Sequence, residues 1–401
     1  MKSFIAVTSE IDDTEFAASQ LSSQILEKTS FEHHSIGLVF CDAEMDVAEL
    51  SRLLHDQLGI DIVGLTTSAT LERNNGCSDM GGLLCVLTAD NVTFSVGCTG
   101  ELDIDIFAET IKDSYAKARA DIDDDPKLIL ALAPYFNGLT PENHVEVLDE
   151  VSGHVPIFGG VATDQYDLQF MKTFYNGAAF DRGLIFVLLA GNLRPVFSME
   201  HHFGAKVEKK GVITKSSSNL IEKVGNQTFK EYVSSIVPIP PDEDQVVFHF
   251  QSTPFIMELP DYEKGEQPVV RALCTVDHQT GAGGFLSKMP EGASIYMNVL
   301  ERENMEQSCR AGLTDIIKKM SENNGYEYSI VFISSCNARH LLMGDTKNVE
   351  SDIISEKLRG FPSELNAMGF YGFGEICPTL IRADGKAKNR FHNVSFALCA
   401  I

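Results

Sequence analysis

SIGLVFCDAEMDVAELSRLLHDQLGIDIVGLTTSATL, residues Ser35–Leu71, decides the class of fold. It opens on a strand-like apolar run, Ser35–Phe40. At Asp46 the period changes, and Leu50, Leu53, Leu54 and Leu58 recur on one face of a helix that stops at Gly59. DIVGLTTSATL then puts small and hydroxyl residues just after an apolar pair, and GGLLCVLTA reads as a further strand. The succession returns in LILALAPY, ENHVEVLDEVSG, PIFGGVATD and RGLIFVLLAG. It returns again in YSIVFISS, SDIISEKLRG, AMGFYGFGEI and SFALCAI, with Gly360 expected to cap its helix.

Turn residues between β-rich runs predict a hairpin in each unit: LLCVLTADNVTFSVG, LIFVLLAGNLRPVFSM and FLSKMPEGASIYMNVL. Amphipathic helices, DIFAETIKDSYAKARA and MEQSCRAGLTDIIKKM, follow two of these runs. The expected class is α/β: mixed parallel and antiparallel sheets with flanking helices, built from pseudo-repeated strand-helix-strand-hairpin units. At 401 residues the chain has room for two domains, and the prolines and acids of Ile236–Gln245 set the expected boundary, giving 1–235 and 236–401.

The net charge of −25 repels a phosphate backbone, so nucleic acid is not an expected partner. MKSFIAVTSEIDD lacks the basic and long apolar segments of a signal peptide, and no apolar run approaches the roughly 18 to 20 residues of a spanning helix. The expectation is a cytoplasmic protein without membrane insertion. Nine cysteines, scattered through apolar segments, read as reduced core thiols.

VFISSCNARHLL, MGFYGFGEICP and FHNVSFALCAI together resemble the closing pattern of the FIST family, bacterial sensory proteins whose name is read as F-box and intracellular signal transduction. VPIFGGVATDQ, FYNGAAFDRGLIFVLL, SIGLVF and IVGLTTSATL extend the likeness over nearly the whole chain, as the family's N-terminal and C-terminal domains in tandem. The resemblance implies a stand-alone sensor of a small ligand, an amino acid or similar metabolite, that signals through a separate protein. One branch of the family resembles haem sensors of nitric oxide that regulate a partner histidine kinase. Ala69 and Thr70 stand where the family commonly carries Gly-Glu, which weakens a polar site in the first unit.

In open α/β sheets ligands bind beyond the carboxyl ends of strands, where small residues let backbone approach. The candidates so placed are Thr66, Thr67, Gly159, Gly160, Thr163, Asp164, Tyr371, Gly374 and Glu375. Cys336 and Arg339 join them from SSCNARH: Arg339 suits a ligand carboxylate and Glu375 an ammonium group, or the two pair with each other. An enzyme reading, a cysteine-dependent hydrolase, makes Cys336 a nucleophile with His340 as base, without a recognisable oxyanion hole. Catalysis is not the expected role.

No CxxC occurs, the His33/His34 and His201/His202 pairs lack partners at ligand spacing, and DIDDDP has proline where a calcium loop needs glycine. GAGGFLSK puts Leu286 where a dinucleotide fingerprint needs a small residue, and GxxxxGK[ST] is absent. No metal or cofactor is expected from these motifs. Haem b stays open, because it needs one axial histidine and an apolar pocket: His201, His202, His340 and His392 are the candidates.

Overall fold

The computed structural model describes residues 1–136, 138–165, 169–201, 209–239, 254–298, 300–346 and 348–401. His202, part of the proposed boundary stretch from residue 240 on, and Val299 of the third expected hairpin lie outside them. The chain is a mixed α/β fold.

The first sheet runs β1 (Lys2–Thr8), β6 (Gly82–Ala89), β2 (His34–Cys41), β3 (Asp61–Thr66), β10 (Thr173–Tyr175), β11 (Ala178–Phe180). The second runs β7 (Val92–Glu101), β12 (Gly183–Gly191), β8 (Pro126–Ala133), β9 (Ile157–Val161), β24 (Glu375–Ile381), β25 (Ala387–His392). The third runs β13 (Val196–Glu200), β26 (Phe396–Ala400), β22 (Ile330–Cys336), β23 (Asn366–Gly372), β4 (Thr70–Glu72), β5 (Gly76–Ser78).

Each of these sheets centres on one parallel pair: β2 with β3, β8 with β9, β22 with β23. Helices make the crossovers, α2 (Val47–Leu58) in the first, α4 (Pro141–Ser152) in the second, and α7 (Asn337–Met343) with α8 (Val349–Leu358) in the third. The outer edge of every parallel pair takes a short hairpin from a distant part of the chain, and β4–β5 crosses from the end of β3 to pair with β23. That crossing carries the loop after β3 to the loop after β23.

The expected hairpins are not formed. β7 leaves β6 to pair with β12, β13 leaves β12 to pair with β26, and β21 (Ser294–Met297) leaves β20 (Gly283–Phe285) to pair with β14 (Gly211–Ser217) and β17 (Phe255–Glu258). The reason is edge occupancy. β6 already lies between β1 and β2, β12 has β8 on its other side, and β20 lies between β15 (Leu220–Val224) and β19 (Leu273–Val276), so the turn must send the chain onward. With β16 (Gln227–Thr228) and β18 (Val269–Arg271), these strands form a fourth sheet.

Apolar side chains on the inner faces of the first three sheets meet in one core, including Leu38, Phe40, Leu130, Leu132, Phe332 and Phe370. Their outer faces are covered by helices: α1 (Thr14–Leu26) and α2 over the first, α3 (Phe107–Ala120) and α4 over the second, α6 (Arg302–Glu322), α7 and α8 over the third. Both faces of these strands are therefore apolar, which is why they read as unbroken hydrophobic runs. The short α5 (Phe229–Ser234) packs on the fourth sheet.

Local signals work where local physics decides. Asp46 caps α2 by accepting from Glu49 N at 3.1 Å, and Gly59 ends it in the left-handed conformation at φ 67°. Gly360 does not play that part. Arg359 closes α8 at φ −55°, and Gly360 beyond it keeps an ordinary backbone. Among the described residues no helix is long and apolar enough to cross a membrane.

Candidate functional site

The ends of β3, β9, β22 and β23 converge. Thr163 N donates to Thr66 O at 2.9 Å, and Thr67 Oγ1 donates to Tyr371 O at 2.7 Å. Ser68 Oγ donates to Asn337 Oδ1 at 2.7 Å, and Asn337 Nδ2 reaches Thr163 Oγ1 at 3.5 Å. Gln165 Nε2 faces three oxygens, Asp42 Oδ2 at 3.0 Å, Ser68 O at 3.1 Å and Asp79 O at 3.2 Å. Asp164 shapes the adjoining turn by accepting from the amides of Gln169 and Phe170 at 2.8 and 3.0 Å. Beside this mouth opens a cavity of 440 Å³ lined by Ala43, Glu44, Asp164, Gln165 and Phe170.

Thr66, Thr67, Thr163, Asp164 and the backbone of Tyr371 thus come together as the strand-end reading expects. That reading passes over Asp42, Ser68, Gln165 and Asn337, although three of them lie inside the quoted words TTSAT, VATDQ and SSCNARH. Their signal was polarity next to the small residues.

Arg339 lies elsewhere in the network. It is wholly buried, stacks over Phe396 at 5.6 Å, and gives Nε and Nη2 to Glu350 Oε1 at 2.9 and 2.6 Å and Nη2 to Met305 O at 3.0 Å. Glu350 Oε2 accepts from Ser335 Oγ at 2.8 Å and from the Tyr371 hydroxyl at 2.9 Å. The expectation that Arg339 grips a ligand or pairs with Glu375 is corrected: Glu350, eleven residues downstream on α8, holds it. Burial, with Glu350 adding to it, keeps the Tyr371 phenol protonated far above its ordinary range. The whole cluster is satisfied and closed to solvent.

Glu375 opens β24 after Gly374, whose φ of 131° and 2.2 Å clearance between an added Cβ and the Phe391 ring leave no room for a side chain. The carboxyl is fully buried. Oε2 accepts from Ser395 N at 3.0 Å and Ser395 Oγ at 2.6 Å, and Oε1 meets no protein partner. Burial pushes its pKa up to about 8, against the smaller opposing pull of Ser395, Arg339 and Cys336. Burial therefore favours the neutral form of this carboxyl over the charged form that an ammonium partner needs.

Cys336 is buried, and desolvation with the Glu375 carboxyl nearby drives its thiol well above the ordinary value. His340, its expected base, instead stacks on Tyr371 at 4.5 Å with Nε2 4.0 Å from Cys77 Sγ. A thiol held protonated is a poor nucleophile. Gly159 and Gly160 are packing positions and no ligand cradle: an added Cβ would meet Ala131 O at 1.9 Å and Ser334 Oγ at 2.7 Å respectively.

The FIST N domain matches residues 35–227 and the FIST C domain residues 227–378. The chain belongs to the FIST family. FIST domains are signalling sensor domains, and the F-box is no part of what their name stands for. Among curated proteins none matches the chain. Among solved structures it is similar to cyanuric acid hydrolase from A. caulinodans, with a TM-score of 0.35 and 8% identity over 99% of this chain and 98% of that one, a likeness too slight to bear on fold or activity.

Within this FIST chain the mouth is shared. Thr66, Thr67, Ser68, Thr163, Asp164 and Gln165 come from the FIST N span, and Asn337 and Tyr371 from the FIST C span. A second junction joins the two: Arg271 of β18, buried, pairs with Glu142 of α4, whose other oxygen accepts from Lys288 N. A cavity of 330 Å³ beside that pair is lined by Glu142, Lys288, Arg390 and Phe391 among others. Of the haem candidates, His201 Nε2 lies 2.9 Å from Pro268 O and His392 Nε2 3.2 Å from Cys377 O. Among the described residues no histidine lines the 440 or 330 Å³ cavities, or a 540 Å³ cavity between the N-terminal strand and Glu72–Asn75.

Proposed function

We propose that this FIST protein is a sensor that binds a small amine-bearing metabolite, amino acids first among them, at the mouth formed by the ends of β3, β9 and β23. Ligand binding there shifts a conformational equilibrium that a separate signalling protein, such as a histidine kinase, reads. The observation that carries this reading is the convergence of Thr66, Thr67, Thr163, Asp164 and Gln165 beside a 440 Å³ cavity, a size in the range of small-molecule sites. Among the described lining residues the ionisable groups are Glu44 and Asp164, which favours an ammonium over a carboxylate. A ligand changes the output only as far as it binds the two conformations unequally.

The test is a thermal-shift panel of amino acids and simple amines against the full chain and Gln165→Ala. A ligand at 100 times its Kd stabilises by about 2.7 kcal/mol, so a true ligand raises Tm measurably. The shift vanishes in Gln165→Ala while the unliganded Tm stays near the parent's. A flat panel at saturating concentrations sinks the reading. A Soret band on adding hemin, lost on replacing one histidine, replaces it with a haem-based gas sensor.

A further inference from the structure

The sequence reads all nine cysteines as core thiols, and Cys41, Cys85, Cys309, Cys336, Cys377 and Cys399 are indeed buried. Cys77 departs from that pattern. It lies in β5, the outermost strand of the third sheet, between Gly76 and the exposed Ser78, and it is only half-buried. Its Sγ stands 4.0 Å from Nε2 of His340, which α7 brings to it across 263 residues of chain. Cys98 and Cys274 are the other half-buried thiols. Burial pushes both up, Cys274 to about 12, and Cys274 Sγ turns to Ala272 O at 3.8 Å.

The imidazole is held in place for its contact with Cys77. Its ring stacks on Tyr371, with centroids 4.5 Å apart and planes 22° from parallel, and it is half-buried like the thiol. The Tyr371 hydroxyl donates to Glu350 Oε2 at 2.9 Å, which enriches the phenol face that the imidazole covers. A cation is favoured over such a face, so the stack supports a protonated His340. The thiolate is the nucleophilic form of cysteine, and a neighbouring imidazolium stabilises it. One proton passed from Cys77 Sγ to His340 Nε2 makes that pair. The base that the chain spacing offers to Cys336 thus serves a different thiol.

We propose that Cys77 and His340 form a reactive thiol site for small hydroperoxides, hydrogen peroxide first among them. The Cys77 thiolate attacks one peroxide oxygen, the S–O bond forms as the O–O bond breaks, and the leaving hydroxide takes the proton held by His340. One thiol and one hydrogen peroxide give one sulfenic acid and one water, with sulfur oxidised and peroxide oxygen reduced. The β4–β5 hairpin that carries Cys77 begins just beyond Ser68 and ends beside Asp79, whose carbonyl accepts from Gln165 Nε2 at 3.2 Å. The thiol therefore sits on the hairpin that leaves the mouth. It stands whether or not the mouth binds a metabolite.

The test uses the full chain with all nine cysteines in place. At about pH 7, iodoacetamide followed by peptide mass spectrometry is expected to label Cys77 about tenfold faster than Cys98 or Cys274, because rate follows thiolate fraction and exposure. Hydrogen peroxide is expected to add one oxygen at Cys77, which dimedone traps as the sulfenic acid. His340→Phe keeps a ring on Tyr371 and removes Nε2, and both reactions at Cys77 are expected to slow about tenfold. Labelling of Cys98 or Cys274 ahead of Cys77, or a Cys77 that is alkylated yet yields no sulfenic acid, overturns the proposal. An unchanged rate in a folded His340→Phe chain overturns it too. If that variant does not fold, the order of labelling in the unsubstituted chain decides alone.

Discussion

Glu350 and Glu375 are both fully buried, and the third sheet's end reaches each of them, yet they are built as opposites. Glu350 meets a guanidinium, a serine and a tyrosine hydroxyl, so its charge is balanced where it sits. Glu375 meets Ser395 and the Cys336 thiol but no directly bonded cation, so burial favours the neutral acid. Burial alone does not set the state of a carboxylate. The number of donors, and whether a guanidinium bonds the carboxylate directly, do.

The largest effect comes from breaking the balanced side. Glu350→Ala leaves Arg339 charged and buried without a partner, and we expect a loss of about 3 to 5 kcal/mol in chemical unfolding. The unbalanced side gives a pH signature. Its folded pKa, about 8, lies above the ordinary 4.5, so in that window the native state holds a proton that the unfolded chain has released. Stability contributed by Glu375 is then complete below about pH 4.5 and declines by about 1.4 kcal/mol per pH unit until the folded pKa is passed. Glu375→Gln flattens this decline in unfolding measured from pH 5 to pH 9, whereas a Glu350 variant leaves it in place. If Glu375→Gln leaves the pH dependence between pH 5 and pH 9 unchanged, the carboxyl is charged in the native state and the contrast fails.

Smaller changes sharpen it further. Gly160→Ala pushes a methyl toward Ser334 and the Phe370 ring, 2.7 and 2.9 Å away, and should cost about 1 to 3 kcal/mol. Thr67→Val removes the donor to Tyr371 O with little change of shape, at about 1 kcal/mol. That loss at the mouth should be independent of pH, in contrast to any change made around Glu375.

Much of the fold can be read along the chain because its causes are local. Leu50, Leu54 and Leu58 fall on the buried face of α2, and Gly59 and Gly153 end their helices in the left-handed conformation, as spacing and glycine chemistry require. The turn after Ala89 is equally legible, but its destination is not. Pairing depends on which edges are free, and β1 and β2 had filled both edges of β6. The candidate site divides the same way. Thr67 and Thr163 are visible as polar residues after strands, whereas Glu350 sits in an ordinary helical stretch with nothing to distinguish it.

The sequence by itself determined the class of fold, the helix and strand periods, the FIST likeness and the residues that end strands, since each rests on neighbours a few positions apart. Only the tertiary structure decided that Thr67 meets Tyr371 across 304 residues, that Arg339 belongs to Glu350, and that Glu375 keeps its proton. Those outcomes are settled by which charges and donors share a water-poor interior. That sharing comes into being only when the sheets close on one another.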